Sequence, residues 1–347
     1  MDSKQTTNAV APFEGRLSLS KQFDLGEPAT AGADINDLDP DNHPYFIESN
    51  TQAVTLEDLS NNLIPTWADN SLTISHTNFI KTVRAAAEQV FGNLTPVEIR
   101  TSHPIQGRRP EAIHKKQNEL TENDKTIYYQ RMAFISHVVG LSREVNGQIV
   151  NLTIGGVRNY ADDQLYRTAT PQKFKVFVGW QVRVCSNLML TCSGNSGVIQ
   201  CLTEADVFQK AMELFTTFNP ERENILTQLG NLQTTRMTEQ QFCNIIGRMR
   251  LYQALPIAEQ HQLPPLLIGD QAVNEATRGY FNNPNFCKRE GEDGISCWNF
   301  LQLLTESVKS SYIDKFAERN QNAVDMTIGL QNALNGTDEE GYSWFLS

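Results

Sequence analysis

The sequence lacks the long hydrophobic segments that membrane proteins need. No stretch reaches roughly 18 consecutive apolar residues, and the most apolar run, residues 174–184, still contains Lys175, Gln181 and Arg183. The first residues, MDSKQTTNAVAPFEG, carry neither the basic cluster nor the apolar stretch of a secretory signal. With 347 residues, 39% of them hydrophobic, the chain can bury one large core or two smaller ones. We therefore expect a cytoplasmic, globular protein without a membrane partner.

Cysteine is sparse, and its spacing matches no common metal-binding pattern. The six cysteines are Cys185, Cys192, Cys201, Cys243, Cys287 and Cys297, and none of them forms a CxxC pair. Because cytosolic proteins rarely keep disulfides, we expect reduced thiols that pack as small buried hydrophobic groups. The sequence predicts no metal site and no cofactor.

Linear signatures of common enzymes are also absent. Gly155-Gly156 lacks the GxGxxG or GxxxxGK[ST] spacing of a phosphate loop, and no HExxH, GxSxG or HxE with PCxxC occurs. We interpret Asp162-Asp163 as a solvated turn, because a dedicated cation site needs several spaced oxygen ligands. No catalytic residue is predicted. Whether the protein is an enzyme stays open, and a non-enzymatic role is favoured.

The hydrophobic patterns predict an α+β protein, with an antiparallel β-sheet in the middle of the chain followed by a mainly helical C-terminal half. Apolar residues at helical spacing follow a capping Ser75 and stop at Gly92. Period-two alternation at 97–99 predicts a strand, and the β-branched and aromatic stretch 173–190 predicts one or two more. Helical spacing then predicts helices near 203–218, 225–232, 242–255, 271–281, 296–310 and 313–334.

The strongest local prediction is a β-hairpin, because Asn146-Gly147 is a turn pair that tolerates positive φ at both central positions. A two-residue turn pairs Val145 with Gln148 and would place Val139 opposite Ile154 and Leu141 opposite Leu152 on one dry face. The other face, with Glu144, Ser142, Asn151 and Thr153, is predicted to be wet. Farther from the turn, MAFISHVV is predicted to be a central strand, with His137 a hydrogen-bonded core residue.

Charge is unevenly distributed along the chain, which has 29 basic and 40 acidic side chains. Residues 1–70 hold 3 basic and 12 acidic side chains, residues 71–180 hold 14 and 9, and residues 181–347 hold 12 and 19. We predict an acidic flexible arm over residues 1–60. Residues 61–202 would form the helix and sheet region, and residues 203–347 a helical region packed on the same core or a separate domain.

The basic excess of the middle segment, interleaved with tyrosines and Trp180, predicts a nucleic-acid-binding surface on the β segment. Cations follow phosphates, and aromatic rings stack on unpaired bases. The predicted surface residues are Arg100, Arg108, Arg109, Lys115, Lys116, Arg131, Arg158, Lys173, Lys175 and Arg183. Packing of the tyrosines within the sheet is the simpler alternative, because aromatics favour half-buried strand positions in any protein.

Several phrases together carry a resemblance to a known family. They are TISHTNFIKTV (73–83), EIRTSHPIQGRRPEA (98–112), YYQRMAFISHVV (128–139), LTIGGVRNY (152–160), FKVFVGWQVRVCSNLMLTCSG (174–194) and the stretch 299–336. From about Asn62 to the C-terminus the chain resembles a Bacteroidetes family of uncharacterised proteins, domain of unknown function 3871. The phrase VRVCSN (182–187) is also similar to phage- and plasmid-related proteins of unknown function.

The resemblance implies a context rather than a reaction. It implies a bacterial, cytoplasmic protein that is often carried on mobile elements, which favours DNA-related work by analogy alone. It brings no cofactor or catalytic residue with it. The residues of its two most family-like stretches whose role stays open are Asn187, Lys309, Tyr312, Asp314 and Arg319.

Three functions follow from these observations, and the first is non-enzymatic binding of single-stranded or duplex DNA through the basic β segment. The second is a protein-interaction or anti-defence factor whose acidic surface binds a basic host protein. The third is an enzyme whose site lacks a linear motif and is assembled from Arg183 and the five family residues. For the helical residues among them, pairing and packing are the simpler interpretation. The sequence does not predict the oligomeric state.

Overall fold

The structure, a computed structural model, describes residues 44–61, 64–65, 73–163, 170–218 and 224–347. Strands gather in the middle of the chain and helices follow, which confirms the predicted α+β class. The strands are β1 (Gln52–Ala53), β2 (Glu98–Thr101), β3 (Ile105–Arg108), β4 (Lys125–Tyr129), β5 (Arg131–Val145), β6 (Gln148–Asn159), β7 (Gln172–Val182), β8 (Leu188–Met189), β9 (Ile199–Cys201), β10 (Arg236–Met237) and β11 (Ile295–Ser296). The helices are α1 (Leu56–Ser60), α2 (His76–Phe91), α3 (Glu204–Thr217), α4 (Ile225–Asn231), α5 (Glu239–Ala254), α6 (Ile257–Gln260), α7 (Asp270–Asn282), α8 (Cys297–Val308) and α9 (Phe316–Leu334). None of the helices in these ranges combines the length and the apolar character that crossing a bilayer requires.

The main sheet is antiparallel, with strand order β1-β2-β5-β6-β7-β8 and with β9 also paired to β7. The predicted hairpin is confirmed: Val145 pairs with Gln148, and the turn residues Asn146 and Gly147 have φ values of 51° and 75°. Strand β5 lies between β2 and β6, so the predicted central strand is also confirmed. The stretch 173–190 forms two strands, β7 and β8.

The pairing predicted farther along the hairpin is wrong, because β5 contains a large bulge. Ser142 lies opposite Asn151 and His137 opposite Thr153, so four residues of β5 face a single residue of β6. Gly140, at φ 81°, supplies the positive-φ conformation within this bulge. A bulge of this kind cannot be detected from the alternation of apolar and polar residues in the sequence.

The bulge changes which side chains share a face. Val139 is 56% exposed and is not opposite Ile154, whose partner on β5 is Ser136. Asn151 and Thr153, predicted to face water, are buried. The prediction of a wet face is therefore wrong at these two positions, because other parts of the chain cover the sheet there.

Helix α2 shows why one face of the sheet is dry. Its start and end are as predicted, because the Ser75 hydroxyl accepts the Asn78 N–H at 3.0 Å and Gly92 ends it at φ 89°. Phe79 of α2 packs on the sheet with its ring 4.9 Å from that of Phe174. Gly156 makes room for this contact, since a Cβ there would lie 2.7 Å from the Phe79 ring.

The C-terminal helices cover the opposite face of β7. Lys175, which follows Phe174 and so points to the other side of the strand, donates to the Asp314 carbonyl at 2.5 Å and pairs with Glu318 of α9. A continuous cluster of buried hydrophobic residues runs from Phe46 to Phe345. The sheet and the C-terminal helices therefore share one core.

Part of the segment assigned to the acidic arm belongs to the folded body. Phe46 and Ile47 are fully buried, and β1 pairs with β2 at the edge of the sheet. Residues 1–43, with most of the acidic side chains of the predicted arm, lie outside the described residues.

All six cysteines are free. Cys185, Cys201 and Cys297 are buried, as expected of small hydrophobic groups, and burial raises the pKa of each of these thiols. The expectation is wrong for Cys192 and Cys243, which are exposed.

Candidate ligand-binding cleft

A cleft of about 880 Å³ opens where four parts of the fold meet. Residues 48–51 form one wall, and the base of the β3–β4 hairpin, around residues 102–105 and 129–131, forms the next. The start of α7 (269–275) and the chain from the end of α8 into α9 (306–319) complete it. Because these parts are far apart in sequence, the cleft has no linear motif.

The wall formed by residues 48–51 is held at both ends by hydrogen bonds. The backbone N–H groups of Glu48 and Ser49 both donate to the Lys309 carbonyl, at 2.9 and 3.2 Å. The side-chain amide of Gln52 lies 2.8 Å from Nδ1 of His103. These bonds tie the segment to α8 on one side and to the hairpin base on the other.

Arg131 contacts two tyrosine rings at the edge of the cleft. Its guanidinium lies 4.9 Å from the ring centroids of both Tyr129 and Tyr312. Its Nε lies 2.6 Å from Oδ1 of Asp314, so the charge is largely neutralised. Tyr312 remains 67% exposed at the cleft. This corner therefore presents to a ligand an exposed aromatic ring with a guanidinium against one of its faces.

Carboxylates dominate the charge of the cleft. Glu48, Glu275 and Glu306 line it, as does Asp270, which pairs with Arg250 at 3.4 Å. Burial raises the pKa of Glu48, and the nearby Glu306 and Glu275 carboxylates act in the same direction, against the opposing charge of Lys309. The interior is consequently unfavourable for a phosphate group.

Arg319 is the second arginine that lines the cleft in the described part of the chain. Its guanidinium donates to the Ser311 hydroxyl at 2.8 Å and lies beside Gly269 at the start of α7. It provides a hydrogen-bond donor opposite the carboxylates.

The family residues divide into two groups in the structure. Tyr312 and Arg319 line the cleft, and Asp314 holds Arg131 in place. Asn187 and Lys309 are buried and do not reach the cleft surface.

The two buried family residues tie elements together. The Lys309 ammonium donates to the Cys185 carbonyl and to Glu306, the latter at 3.0 Å. The Asn187 amide donates to the main-chain and side-chain oxygens of Gln302 on α8, both at 3.0 Å. Both residues thus join the end of β7 to α8.

Two of the ten predicted nucleic-acid residues are buried. Arg100, 6% exposed, donates to the Thr51 hydroxyl at 3.0 Å, and its guanidinium lies 4.0 Å from the Tyr45 ring centroid. Arg158, 1% exposed, is bonded to Asp163 and to two other groups in the interior. Neither guanidinium can meet a phosphate in this conformation.

The other eight are at or near the surface, in different places. Arg131 and Lys175 form the ion pairs described above, and Lys173 and Lys175 border a smaller cavity beside β7 with Glu318. The backbone N–H of Arg183 donates to the Ile149 carbonyl at 2.9 Å. The remaining four are Arg108, the last residue of β3, and Arg109, Lys115 and Lys116 in the connection that follows this strand.

The structure adds site residues that the sequence did not indicate. Glu48 and Glu275 lie outside the family-like phrases, and Glu306 and Ser310 lie within the stretch 299–336 without having been singled out. A single sequence offers no signal that separates these four from other polar surface residues. Among the described residues, no group of three histidine, cysteine, aspartate or glutamate side chains is arranged to hold a metal ion.

The family assignment rests on most of the chain. A family model described as "Domain of unknown function, B. Theta Gene description (DUF3871)" matches residues 36–346. The chain belongs to this family. The DUF3871 match begins at residue 36, upstream of Asn62, so it includes part of the segment that we placed outside the resemblance. No curated protein and no solved structure matches the chain. The DUF3871 description names no activity, and the similarity to phage- and plasmid-related proteins stays a prediction.

Proposed function

We propose that the protein is a non-enzymatic binding protein whose cleft takes a polar organic ligand. The observation that carries this proposal is the cleft itself: its volume of about 880 Å³ falls within the range of about 300–1,000 Å³ that is typical of small-molecule sites. Polar groups from four parts of the fold converge on it, and one exposed ring stands at its edge.

The state of the ionisable groups supports binding rather than catalysis. A catalytic site needs a nucleophile and a base within reach of each other and of the substrate. Lys309 is buried, Asp314 is paired with Arg131, and His103 is bonded to Gln52. These three ionisable groups are therefore used to hold the walls of the cleft together.

A tryptophan at Gln271 is expected to abolish ligand binding by filling the cleft mouth. Gln271 is exposed at the start of α7, so the fold should tolerate the change. A ligand at about 100 times its Kd should stabilise the wild type by about 2.7 kcal/mol. Thermal unfolding against separate panels of nucleosides, amino acids, sugars and amines measures this stabilisation.

The matched control is Arg278→Trp, an exposed position farther along the same helix. It should keep the full thermal shift, whereas Gln271→Trp should lose it. The cleft proposal fails if no panel stabilises the wild type, or if Gln271→Trp keeps the same shift.

A second candidate function, DNA binding, is supported by one specific contact. Nη1 of Arg108 donates to the Lys115 carbonyl at 2.6 Å, which closes the connection after β3 into a loop. Arg108, at the end of β3, thereby lies close to Lys115, which pairs with Asp124 at 2.6 Å. Arg108, Arg109, Lys115 and Lys116 together form what we call the basic loop. Since β6 and β7 are almost entirely buried, the proposed DNA surface is this loop rather than the face of the sheet.

Replacing all four basic-loop residues with glutamine is expected to weaken binding to single-stranded DNA equally for all sequences. Each lost phosphate contact lowers the magnitude of the slope of log K against log salt by about 0.7. The loss of four contacts should therefore lower it by up to about 3. Fluorescence anisotropy with labelled single-stranded and duplex DNA at two salt concentrations measures both effects. Lys210→Gln on α3 is the control, because this side chain is 52% exposed and lies far along the chain from the loop. An unchanged affinity in the fourfold variant would exclude the basic loop.

A further inference from the structure

The exposed ring of Tyr312 differs from an ordinary surface tyrosine in the way it is held. Arg131 supports it from one side, and Arg131 is itself fixed by the Tyr129 ring and the Asp314 carboxylate. Single exposed aromatic residues are common and need no explanation. Here, however, a ring that is 67% exposed is pre-positioned at the edge of a large cleft, so little conformational entropy is lost when another ring stacks on it.

The polar groups around this ring favour a particular kind of partner. Glu48, Glu275 and Glu306 offer hydrogen-bond acceptors, and Arg319 offers donors. A nucleobase has a flat face for stacking, together with N–H donors and ring acceptors on its edges. The carboxylates would repel a phosphate group, so the base should enter the cleft while any phosphate stays outside.

The position of the cleft makes two sources of such a base compatible with the structure. The hairpin pairing of Ile105 with Tyr129 lies at the cleft, and the pairing of Arg108 with Lys125 lies at the start of the basic loop. Arg108 is three positions after Ile105 on β3, so the two residue pairs are about 10 Å apart along the strand. A DNA strand could therefore place a base in the cleft and phosphates on the loop, and a free nucleoside could occupy the cleft alone.

We propose that Tyr312 is the stacking platform for a nucleobase bound in the cleft, supplied either as a free nucleoside or as an unpaired base of a DNA strand. This inference rests on the proposed function of the cleft and names its ligand class. Stacking on Tyr312 provides most of the affinity, and the carboxylates select bases that carry amino groups.

The direct test follows the fluorescence of 2-aminopurine, which falls when the base stacks. The probes are 2-aminopurine riboside, the same nucleoside as its monophosphate, and a thymidine oligonucleotide with one central 2-aminopurine. Tyr312→Ala should weaken binding by about 5- to 140-fold and remove the quenching, in line with the effect of deleting a stacking ring. Tyr312→Phe keeps the ring and should retain both the affinity and the quenching of the wild type.

Phe281→Ala is the matched control, because Phe281 is 65% exposed, close to the exposure of Tyr312. It lies six residues beyond Glu275, the last cleft residue of α7, and so about 9 Å from the cleft along the helix axis. It should bind and quench like the wild type. Equal thermal midpoints of the Tyr312 and Phe281 variants would show that the loss of binding is not a loss of folding.

The outcomes separate this inference from the two proposed functions. Quenching by the riboside, with weaker binding of the monophosphate, supports a free nucleoside as ligand, whereas quenching in the oligonucleotide alone supports a DNA strand. If Tyr312→Ala binds and quenches like the wild type, the stacking inference is wrong. If no probe is quenched by the wild type, the inference is also wrong. In both cases the cleft proposal stands or falls on the Gln271→Trp experiment, in which amino acids, sugars and amines are tested independently.

Discussion

Arg158→Met is expected to lower the free energy of unfolding by about 3–5 kcal/mol, the usual cost of removing one partner from a buried ion pair. The side chains of Arg158 and Asp163 are both fully buried and lie 3.1 Å apart. Arg158 also donates to the side-chain oxygen of Gln172 at 2.6 Å and to the Ile74 carbonyl. Without it, these acceptors would stay in the interior with no charged donor. Urea denaturation at neutral pH measures the loss.

A double variant separates the ion pair from the packing around it. Arg158→Met with Asp163→Leu removes both charges and should recover a large part of the stability, because no isolated charge is then left buried. Lys173→Met, at a half-exposed position of β7, should change the stability by no more than about 0.5 kcal/mol. A loss below about 1 kcal/mol in Arg158→Met would contradict the structural role of this residue.

The same variant bears on the nucleic-acid prediction, in which Arg158 was one of the surface residues. Its guanidinium stacks at 4.4 Å on the Phe174 ring and at 4.7 Å on the Tyr160 ring, inside the fold. We therefore expect the salt dependence of any DNA binding to be unchanged in Arg158→Met at temperatures where the variant is folded.

The free energy of unfolding of the wild type is expected to decrease as the pH rises through the pKa of Glu98. The Glu98→Gln variant should not show this decrease. Burial raises the pKa of Glu98 from 4.5 to about 7, although the backbone N–H of Phe46 and the charges of Arg100 and Lys309 act in the opposite direction. The folded protein thus keeps a proton that the unfolded chain has lost. The corresponding stabilisation is fully present below the unfolded pKa and is lost as the pH rises through about 7.

The difference between wild type and Glu98→Gln should therefore grow between pH 4.5 and pH 8. A pKa change from 4.5 to about 7 corresponds to about 3 kcal/mol, which is the upper limit of the effect. Glutamine can still accept the Phe46 N–H. The stability of the variant relative to that of the wild type should therefore be higher at pH 8 than at pH 5. Denaturant unfolding at several pH values gives both curves.

Two comparisons make this pH test specific. Glu88→Gln on α2 changes a carboxyl that is 50% exposed and is the control for the loss of one surface carboxylate. Burial lowers the pKa of His76 well below its usual value, so the stability that depends on neutral His76 is lost as the pH falls below its unfolded value. This loss of stability at low pH is opposite in direction to the effect of Glu98, and it should occur in both the wild type and Glu98→Gln. Parallel pH curves for wild type and Glu98→Gln would show that Glu98 is not held protonated.

Local features of the fold were predictable because their causes lie within a few neighbouring residues. Ser75 caps α2 through its own hydroxyl, and Gly92 ends the helix because it adopts positive φ without strain. Asn146-Gly147 forms the hairpin turn for the same conformational reason. The register beyond His137 was not predictable, because the bulge at Gly140 depends on contacts with the chain before β2, such as the Val139 N–H bond to the Asn93 carbonyl.

The candidate site was only partly predictable, because the charge of a side chain does not reveal whether that side chain is buried or paired. A sequence shows that Arg100, Arg131 and Arg158 are basic, but it does not show that the first and third are buried and that the second is neutralised by Asp314. Tyr312 and Arg319 could be selected from the family-like stretch, although their role could not. Glu48 and Glu275 were missed, because they meet in the cleft although they are more than two hundred positions apart in the chain.

By itself the sequence determined the α+β class, the ends of α2, the hairpin turn and membership of the DUF3871 family, since short-range conformational preferences and long matching phrases are properties of the chain. The tertiary structure alone decided the bulge, the burial of the basic residues and the existence of the cleft. Each of these depends on which distant segments share a low-dielectric interior, and that proximity is created by packing.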